Sequence, residues 1–179
     1  MPVLRTMLAP ILYGLALIRE GKPAEAIAPL KASITAWEAT GGKNRVPMLK
    51  AFLAEAMALA GDLDNALQLI DEQIVQIERP GWEERYFYAE ILRLKGWILS
   101  LKGDLEGAER NFLASLDWAR RQLAKMWELR TATSLGRLWQ SQGKCQEAYD
   151  LLAPVYGWFT EGFDTKDLLD AKALLAELG

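Results

Sequence analysis

Small and apolar residues along this chain fall into one frame written four times: Gly14, Gly21 and Ala26; Ala54, Gly61 and Ala66; Gly96, Gly103 and Ala108; Gly136, Gly143 and Ala148. Each triplet is spaced 7 then 5, and the alanines lie 40, 42 and 40 residues apart. A bulky residue follows each alanine four positions on (Leu30, Ile70, Phe112, Leu152), which puts it on the same face of a helix. No stretch alternates strictly between apolar and polar residues, so the pattern predicts helices and no sheet. A self-similar period of this size is the mark of a solenoid built from helix pairs. The first small residue lets a second helix cross closely, the glycine ends the first helix in a left-handed conformation, and the alanine faces back across the turn.

This frame predicts eight helices near 4–20, 23–38, 46–60, 63–78, 83–102, 105–122, 126–142 and 145–158. A ninth is predicted after the turn Glu161-Gly162-Phe163-Asp164, with Asp164 or Thr165 as its cap and Leu168, Ala171, Leu175 and Leu178 as its apolar stripe. Segments such as Gly41-Gly42-Lys43-Asn44 and Arg79-Pro80-Gly81 read as exposed turns. Pro10 and Pro29 fall inside the predicted helices, where a kink or a shifted start is expected. Asp62, Asp64, Asp104 and Glu106 sit at helix starts, where a carboxylate is favoured.

The spacing resembles the tetratricopeptide repeat (TPR), which runs leucine-glycine, glycine, alanine, aromatic. Leu135-Gly136, Gly143, Ala148 and Leu152 match in one repeat, and Gly96, Gly103, Ala108 and Phe112 in another. The period here is about six residues longer than the family's. Pro10, Lys50, Leu92 and Ala132 stand where the family has an early tryptophan. The resemblance implies an all-α fold: a TPR-like right-handed α-α superhelix of four helix pairs with a C-terminal capping helix. It would form one domain over 1–179, with repeats near 4–40, 46–80, 83–122 and 126–160 and the cap at 165–178.

Charge and composition narrow the chemistry. With 179 residues, 51% of them hydrophobic, the chain can bury one sizeable core. A net charge of −3 argues against nucleic acid as a partner. The single cysteine, Cys145, permits no internal disulfide and fits a reducing, cytoplasmic setting; it reads as a solvated or partly packed thiol. Histidine is absent, which removes the commonest general base and metal ligand. The segment Met7 to Ile18 is too short to span a bilayer and no small-x-small cleavage site follows it, so it reads as the first helix and no membrane role is expected. No catalytic group, cofactor or metal is expected.

The closing residues, Ala148 to Leu168, together with Trp127 to Gly136, are similar to the C-terminal helical region of large bacterial proteins that join a class III adenylate or guanylate cyclase domain, or a DNA-binding domain, to an ATPase module. That resemblance covers 84–178, and it implies a sensor or docking arm. Neither the cyclase aspartates nor a phosphate-binding glycine loop with lysine occurs in this chain.

The TPR resemblance also implies which positions of each first helix face a groove. In the first repeat these include Leu8, Ile11, Leu15 and Ile18, an apolar stripe expected to be exposed and to invite an upstream repeat, a second copy of the chain or an apolar ligand. In the third and fourth they include Glu90, Arg93 and Trp97, then Arg130, Thr133, Arg137 and Gln140. Guanidinium groups beside an indole suit an acidic peptide or chain terminus, held by forked hydrogen bonds. The alternative is that these arginines pair with Glu90 or Glu128. Among the tryptophans, Trp37, Trp118, Trp139 and Trp158 read as packing residues, while Trp82, Trp97 and Trp127 are the candidates for exposed contacts. Arg110, Arg120, Arg121 and Lys125 read as a solvated basic cluster. The expected function is a noncatalytic protein-interaction or regulatory module. A small-molecule or peptide sensor controlling an attached ATPase, cyclase or transcription regulator is the alternative; its mark would be a closed pocket lined by the apolar groove residues and Trp97.

Overall fold

The computed structural model describes residues 7–179, and these form nine α-helices with no strand among them. They are α1 (Ala9–Arg19), α2 (Pro23–Glu38), α3 (Val46–Leu59), α4 (Leu63–Glu78), α5 (Tyr88–Leu101), α6 (Leu105–Arg121), α7 (Lys125–Ser141), α8 (Cys145–Tyr156) and α9 (Lys166–Leu178). The expected start of the first helix at Leu4 lies outside the described residues. The chain divides into two compact units, one ending at Phe87 and the other beginning at Tyr88. The first holds the pairs α1/α2 and α3/α4; the second holds α5/α6, α7/α8 and α9, which packs on both α7 and α8.

The repeated triplets do the work their spacing predicts at most sites. A Cβ placed on Gly14 would stand 2.7 Å from Leu30 Cγ, and one on Gly96 would stand 2.8 Å from two ring carbons of Phe112. Ala26, Ala66, Ala108 and Ala148 are fully buried behind the turns. Gly136 differs: the atom nearest its missing Cβ belongs to Leu174 of α9, at 3.1 Å, so here the small residue admits the last helix.

The turns within the four pairs share one geometry. Gly21, Gly61, Gly103 and Gly143 all have positive φ, between 75° and 93°. In the first, the Gly21 N–H donates to the Ile18 carbonyl and the Lys22 N–H to the Leu17 carbonyl, which satisfies the last carbonyls of α1. The connection between α6 and α7 repeats this pattern, with the Leu123 N–H donating to Arg120 and the Ala124 N–H to Ala119. A leucine with φ 54° and 81% exposure therefore stands where the other turns have glycine. Leu123→Gly is expected to stabilise the protein by about 1 kcal/mol, because a Cβ is disfavoured in the left-handed region. Thermal denaturation would show this as a midpoint roughly 3 °C higher; an unchanged or lower midpoint would mean the leucine is not strained.

Several boundaries depart from expectation for local reasons. α5 begins at Tyr88 instead of near 83, because the preceding residues anchor in the first unit. There the Trp82 indole donates to the Glu84 carbonyl at 2.9 Å, and Phe87 is buried edge-to-face on Phe52. Pro10 falls in the first turn of α1, where its missing N–H would be unpaired anyway, while α2 runs on through Pro29. Asp104 caps α6 by accepting the Gly107 N–H at 2.9 Å, but Asp62 accepts the Asn65 side-chain amide instead. Thr165 occupies the cap position of α9, yet its hydroxyl donates to the Gly162 carbonyl. The buried stripe of α9 is Leu168, Ala171 and Leu174, one position short of the expected Leu175.

Buried hydroxyls tie the start of a first helix to its partner in two repeats. Ser33 donates to the Met7 carbonyl at 2.6 Å and Ser115 to the Ala89 carbonyl at 2.7 Å, both across 26 residues. Ser115 also meets the Thr131 hydroxyl at 2.8 Å, so no polar atom of this group is left unpaired in the core of the second unit.

Candidate functional site

Three helices of the second unit, α5, α7 and α9, bring together most of the polar residues singled out from the sequence. The contacts fix their register. Glu90 meets Arg130 at 3.4 Å and Arg93 meets Ser134 at 3.4 Å, so α5 and α7 run parallel; Arg130 meets Asp167 at 2.8 Å and Gln140 meets Glu177 at 3.1 Å, so α9 runs parallel to α7. α9 thus takes the place that the first helix of a further repeat would take.

Carboxylates already answer the arginines on this face. Arg93 grips Glu90 through Nε and Nη2, both at 2.7 Å, in the forked geometry a guanidinium offers a carboxylate. The Glu90 side chain is only 5% exposed and Arg93 14%. Arg130 adds a weaker contact to Glu90 and a closer one to Asp167, and its guanidinium lies 5.1 Å from the Trp127 ring centre. Burial alone would favour loss of the Arg130 proton, but the hydrogen bond that Arg130 donates to Asp167 and the Glu90 charge outweigh it and hold the cation more firmly than usual. Thr133 is buried and donates to the Leu129 carbonyl at 2.9 Å, so its hydroxyl serves the helix. The alternative weighed from the sequence, pairing with Glu90, describes Arg93 and Arg130. Arg137 is exposed and takes part in none of these ion pairs, and Trp97, half-buried, lies one turn beyond Arg93 on α5 just as Arg137 lies one turn beyond Ser134 on α7.

The basic cluster is likewise matched with acids. Arg110 pairs with Glu106, Arg121 with Asp117, and both Arg120 and Lys125 converge on Glu128 at 2.9 and 2.6 Å. Burial raises the Glu128 pKa, but hydrogen bonds from Lys125 and Arg120 and the charges of both outweigh it, and the net shift is downward. A carboxyl with a lowered folded-state pKa contributes stability above its unfolded pKa, and this is lost as pH falls through the folded value. Wild type is therefore expected to lose more stability than Glu128→Gln between neutral pH and pH ~3. Urea titrations across that window check this; parallel losses in the two proteins would refute it.

The N-terminal apolar stripe is not the exposed surface expected. Ile11 is 8% exposed and belongs to the core of the first unit, and Leu8, Leu15 and Ile18 pack against that core. The helix presents Leu12 and Tyr13 outward instead, at 68% and 60% exposure. The face assigned by the repeat frame is rotated because Gly14 and Leu17 are also buried, which turns the inner side of α1 toward α2 and α3.

The tryptophans also redistribute. Trp158 is 58% exposed rather than packed, since α8 ends at Tyr156 and leaves it in the following loop, where Lys125 lies 5.8 Å from its ring centre. Trp118 stacks edge-on against buried Tyr88, and the Trp139 indole donates to Glu109 at 2.8 Å. Trp37, Trp82 and Trp127 are half-buried. Cys145 is an exposed thiol at the start of α8.

Sequence reasoning did not single out an open cleft of about 1070 Å³ in the first unit. One wall is α4, which contributes Asp64, Leu67, Gln68, Asp71, Glu72, Gln73, Val75 and Gln76, followed by its cap residue Arg79; facing it are the end of α2, the turn at Gly41 to Lys43 and the first turns of α3. Gln73 apart, these residues recur at intervals of three and one, a stripe along the helix and a signal that was present in the sequence.

Paired helices joined by short turns, repeated along the chain, define a helical-repeat fold of the α-solenoid class. Solved structures confirm that class: two structures of TPR-like repeats from a kinesin light chain-like protein of Podosopora anserina, one of them carrying a single substitution, are similar to this chain with TM-scores of 0.70 and 0.66. Each is 17% identical to it, and the alignment covers 98% of this chain and 84% of the other. No family model matches the chain, and no curated protein matches it. No comparison supports the resemblance to cyclase-linked regulators. Among the described residues, no helix is long and apolar enough to cross a membrane.

Proposed function

We propose that this chain is a noncatalytic protein-interaction module, and that the α5–α7 face receives an acidic segment of a partner. One observation carries the reading at residue level: Arg137 is exposed outside the ion-pair network, on the turn level with Trp97. A cation and an indole at the same level of neighbouring helices suit a carboxylate attached to an apolar group, and the Gln140 amide one turn further on is already taken by Glu177. Arg93, Arg130 and Thr133 then act as the support beneath that site and not as its contacts. The helical-repeat fold supports the general reading, since stacked helix pairs offer extended surfaces for other chains.

A place in a cyclase-linked signalling protein, and a cytoplasmic setting with it, rests on the sequence alone. Self-association through Leu8, Ile11, Leu15 and Ile18 would require opening the core of the first unit. The sensor alternative gains nothing from the cleft, whose lining includes neither Trp97 nor the α1 stripe.

The test is affinity capture from source-cell lysate with wild type and a Trp97→Ala/Arg137→Ala variant, matched for helicity by circular dichroism. Loss of a captured partner by more than about tenfold in the variant is expected. Equal capture by both proteins would remove this face from the function.

A further inference from the structure

α9 has the place of a first helix, but no second helix among the described residues lies on it as α8 lies on α7. Its register follows from contacts. Between α5 and α7 the side chains that meet are 40 and 41 residues apart, Glu90 with Arg130 and Arg93 with Ser134, close to the step of 40 from Gly96 to Gly136. Between α7 and α9 the step is 37, both for Arg130 with Asp167 and for Gln140 with Glu177. The counterpart of Gly136 on α9 is therefore Ala173, and the counterpart of Ala132 is Leu169. Leu92 and Gly96 on α5, like Ala132 and Gly136 on α7, are buried. On α9 both counterparts are exposed, Leu169 by 50%, and so is Ala176 on the same flank. A helix that merely closes a helical array turns a polar side outward, whereas this flank is apolar apart from Lys172.

The complete pairs specify what covers such a flank. In each, the second helix brings a fully buried alanine and, four positions on, a large buried apolar residue, as in Ala66 and Ile70 or Ala108 and Phe112. The size of that residue is matched to the first helix. A Cβ on Gly14 or Gly96 would stand 2.7 Å from Leu30 or 2.8 Å from Phe112, whereas Ile70 belongs to the pair whose first helix has Ala54 at that position. Ala173 repeats the Ala54 case. The start of the second helix is specified too. Glu109 on α6 meets Trp139 of α7 at 2.8 Å and Lys144, at the start of α8, at 3.9 Å. Tyr149 holds the same frame position on α8; it is 40% exposed and lies 3.5 Å from where a Cβ on Gly179 would stand. Lys172 is exposed and outside the ion pairs made by Asp167 and Asp170, which favours a carboxylate on the flank of the occupant.

We propose that the flank of α9 formed by Leu169, Ala173 and Ala176 receives an amphipathic helix of a partner protein, laid antiparallel to α9 as each second helix of this chain lies on its first. The partner helix sets a small residue and, four positions on, one of isoleucine size against Ala173, and its first turn meets Tyr149. Burial of an apolar helix face on a surface shaped for it is the helix-in-groove mode of recognition, and here the chain's own pairs supply the pattern of anchors. The inference shares with the arginine-face reading only the view of the chain as a protein-interaction module; it uses neither Trp97 nor Arg137.

The test uses the full chain, isotope-labelled for NMR, and a peptide copying Asp62 to Glu78, the second helix that faces an alanine. Titrated to about 1 mM, the peptide is expected to shift the amide resonances of Leu169, Ala173 and Ala176 and the ring resonances of Tyr149. The same peptide with Ile70→Asn should bind at least about tenfold more weakly. Ala173→Gln in the protein should cause a similar loss, and because the residue is exposed the fold tolerates the change. The Trp97→Ala/Arg137→Ala protein should show the α9 shifts as wild type does. No shift at the highest peptide concentration, shifts confined to another surface, or indifference to Ala173→Gln would overturn the proposal. So would shifts of the same amides on concentrating the chain alone, which would make the occupant a second copy. None of these outcomes depends on whether the α5–α7 face binds a partner, so the two readings fail separately.

Discussion

Glu90→Gln is expected to destabilise the protein by roughly 3 kcal/mol, because it removes the charge that the forked Arg93 guanidinium grips at 2.7 Å while leaving that cation almost wholly buried. Glutamine keeps the volume, so the loss is electrostatic and not a cavity. Arg130 keeps Asp167, which confines the damage to the α5 side of the network. Urea unfolding followed by circular dichroism would measure it, since a guanidinium salt would screen the same ion pairs. The variant carries a second expectation. With Glu90 neutral, Arg93 is released toward the face that holds Trp97 and Arg137, and an oligoglutamate peptide should bind this variant more tightly than wild type. Unchanged stability would mean that Glu90 contributes no more than an ordinary surface pair, and unchanged peptide affinity would separate the network from the binding face.

Gly96→Val should have an effect of similar size through sterics alone. The new Cβ would stand 2.8 Å from Phe112 Cδ1 and Cε1 and 3.0 Å from the Ala108 carbonyl oxygen. Phe112 is 2% exposed and has no free space to swing into, so α6 itself must retreat from α5. Overpacking of this kind costs about 3 kcal/mol, which corresponds to a fall of roughly 9 °C in the thermal midpoint. Gly136→Ala is the contrast. Its nearest neighbour is the tip of a leucine side chain at 3.1 Å and the next atoms stand at 3.9 and 4.0 Å, so that tip alone has to give by a few tenths of an ångström while the helix gains propensity, and a change within about 1 kcal/mol is expected. If both substitutions were equally harmful, the close crossing at Gly96 would not be what the repeat frame protects.

The helices were legible because their punctuation is local. Gly21, Gly61, Gly103 and Gly143 mark helix ends by a backbone conformation that few other residues adopt, and each lies a fixed distance from the small residue at the crossing. The excess of this period over the TPR repeat went into connections such as 79–87 and into second helices of 16 and 17 residues. Rotation of a helix about its axis was less legible. The repeat frame assigned Leu8, Ile11, Leu15 and Ile18 to an open face, although a one-residue difference in phase on an all-apolar helix exchanges inner and outer positions, and Leu12 and Tyr13 took the outer one.

The state of the arginine face was half visible. Glu90 stands three residues before Arg93, a spacing at which helical side chains meet, whereas Asp167 lies 37 residues from Arg130 and became its partner only through the parallel docking of α9 on α7. Trp158 was assigned to packing as a late residue of a helix predicted to run to 158, but α8 stops at Tyr156. The pairing of Ser33 and Ser115 with carbonyls 26 residues back did leave a signal, a serine seven positions after the frame alanine in two repeats, on a face that is otherwise apolar.

In the second unit, the helix contacts all join elements that are neighbours or next neighbours along the chain: α5 with α6 and α7, α6 with α7, α7 with α8 and α9, and α8 with α9. No distant strand of chain has to be found before packing can begin, so the search for the native state is short. A polypeptide wired in this way folds on the microsecond-to-millisecond scale from whichever turn closes first, and a nascent chain could acquire its structure pair by pair as it leaves the ribosome.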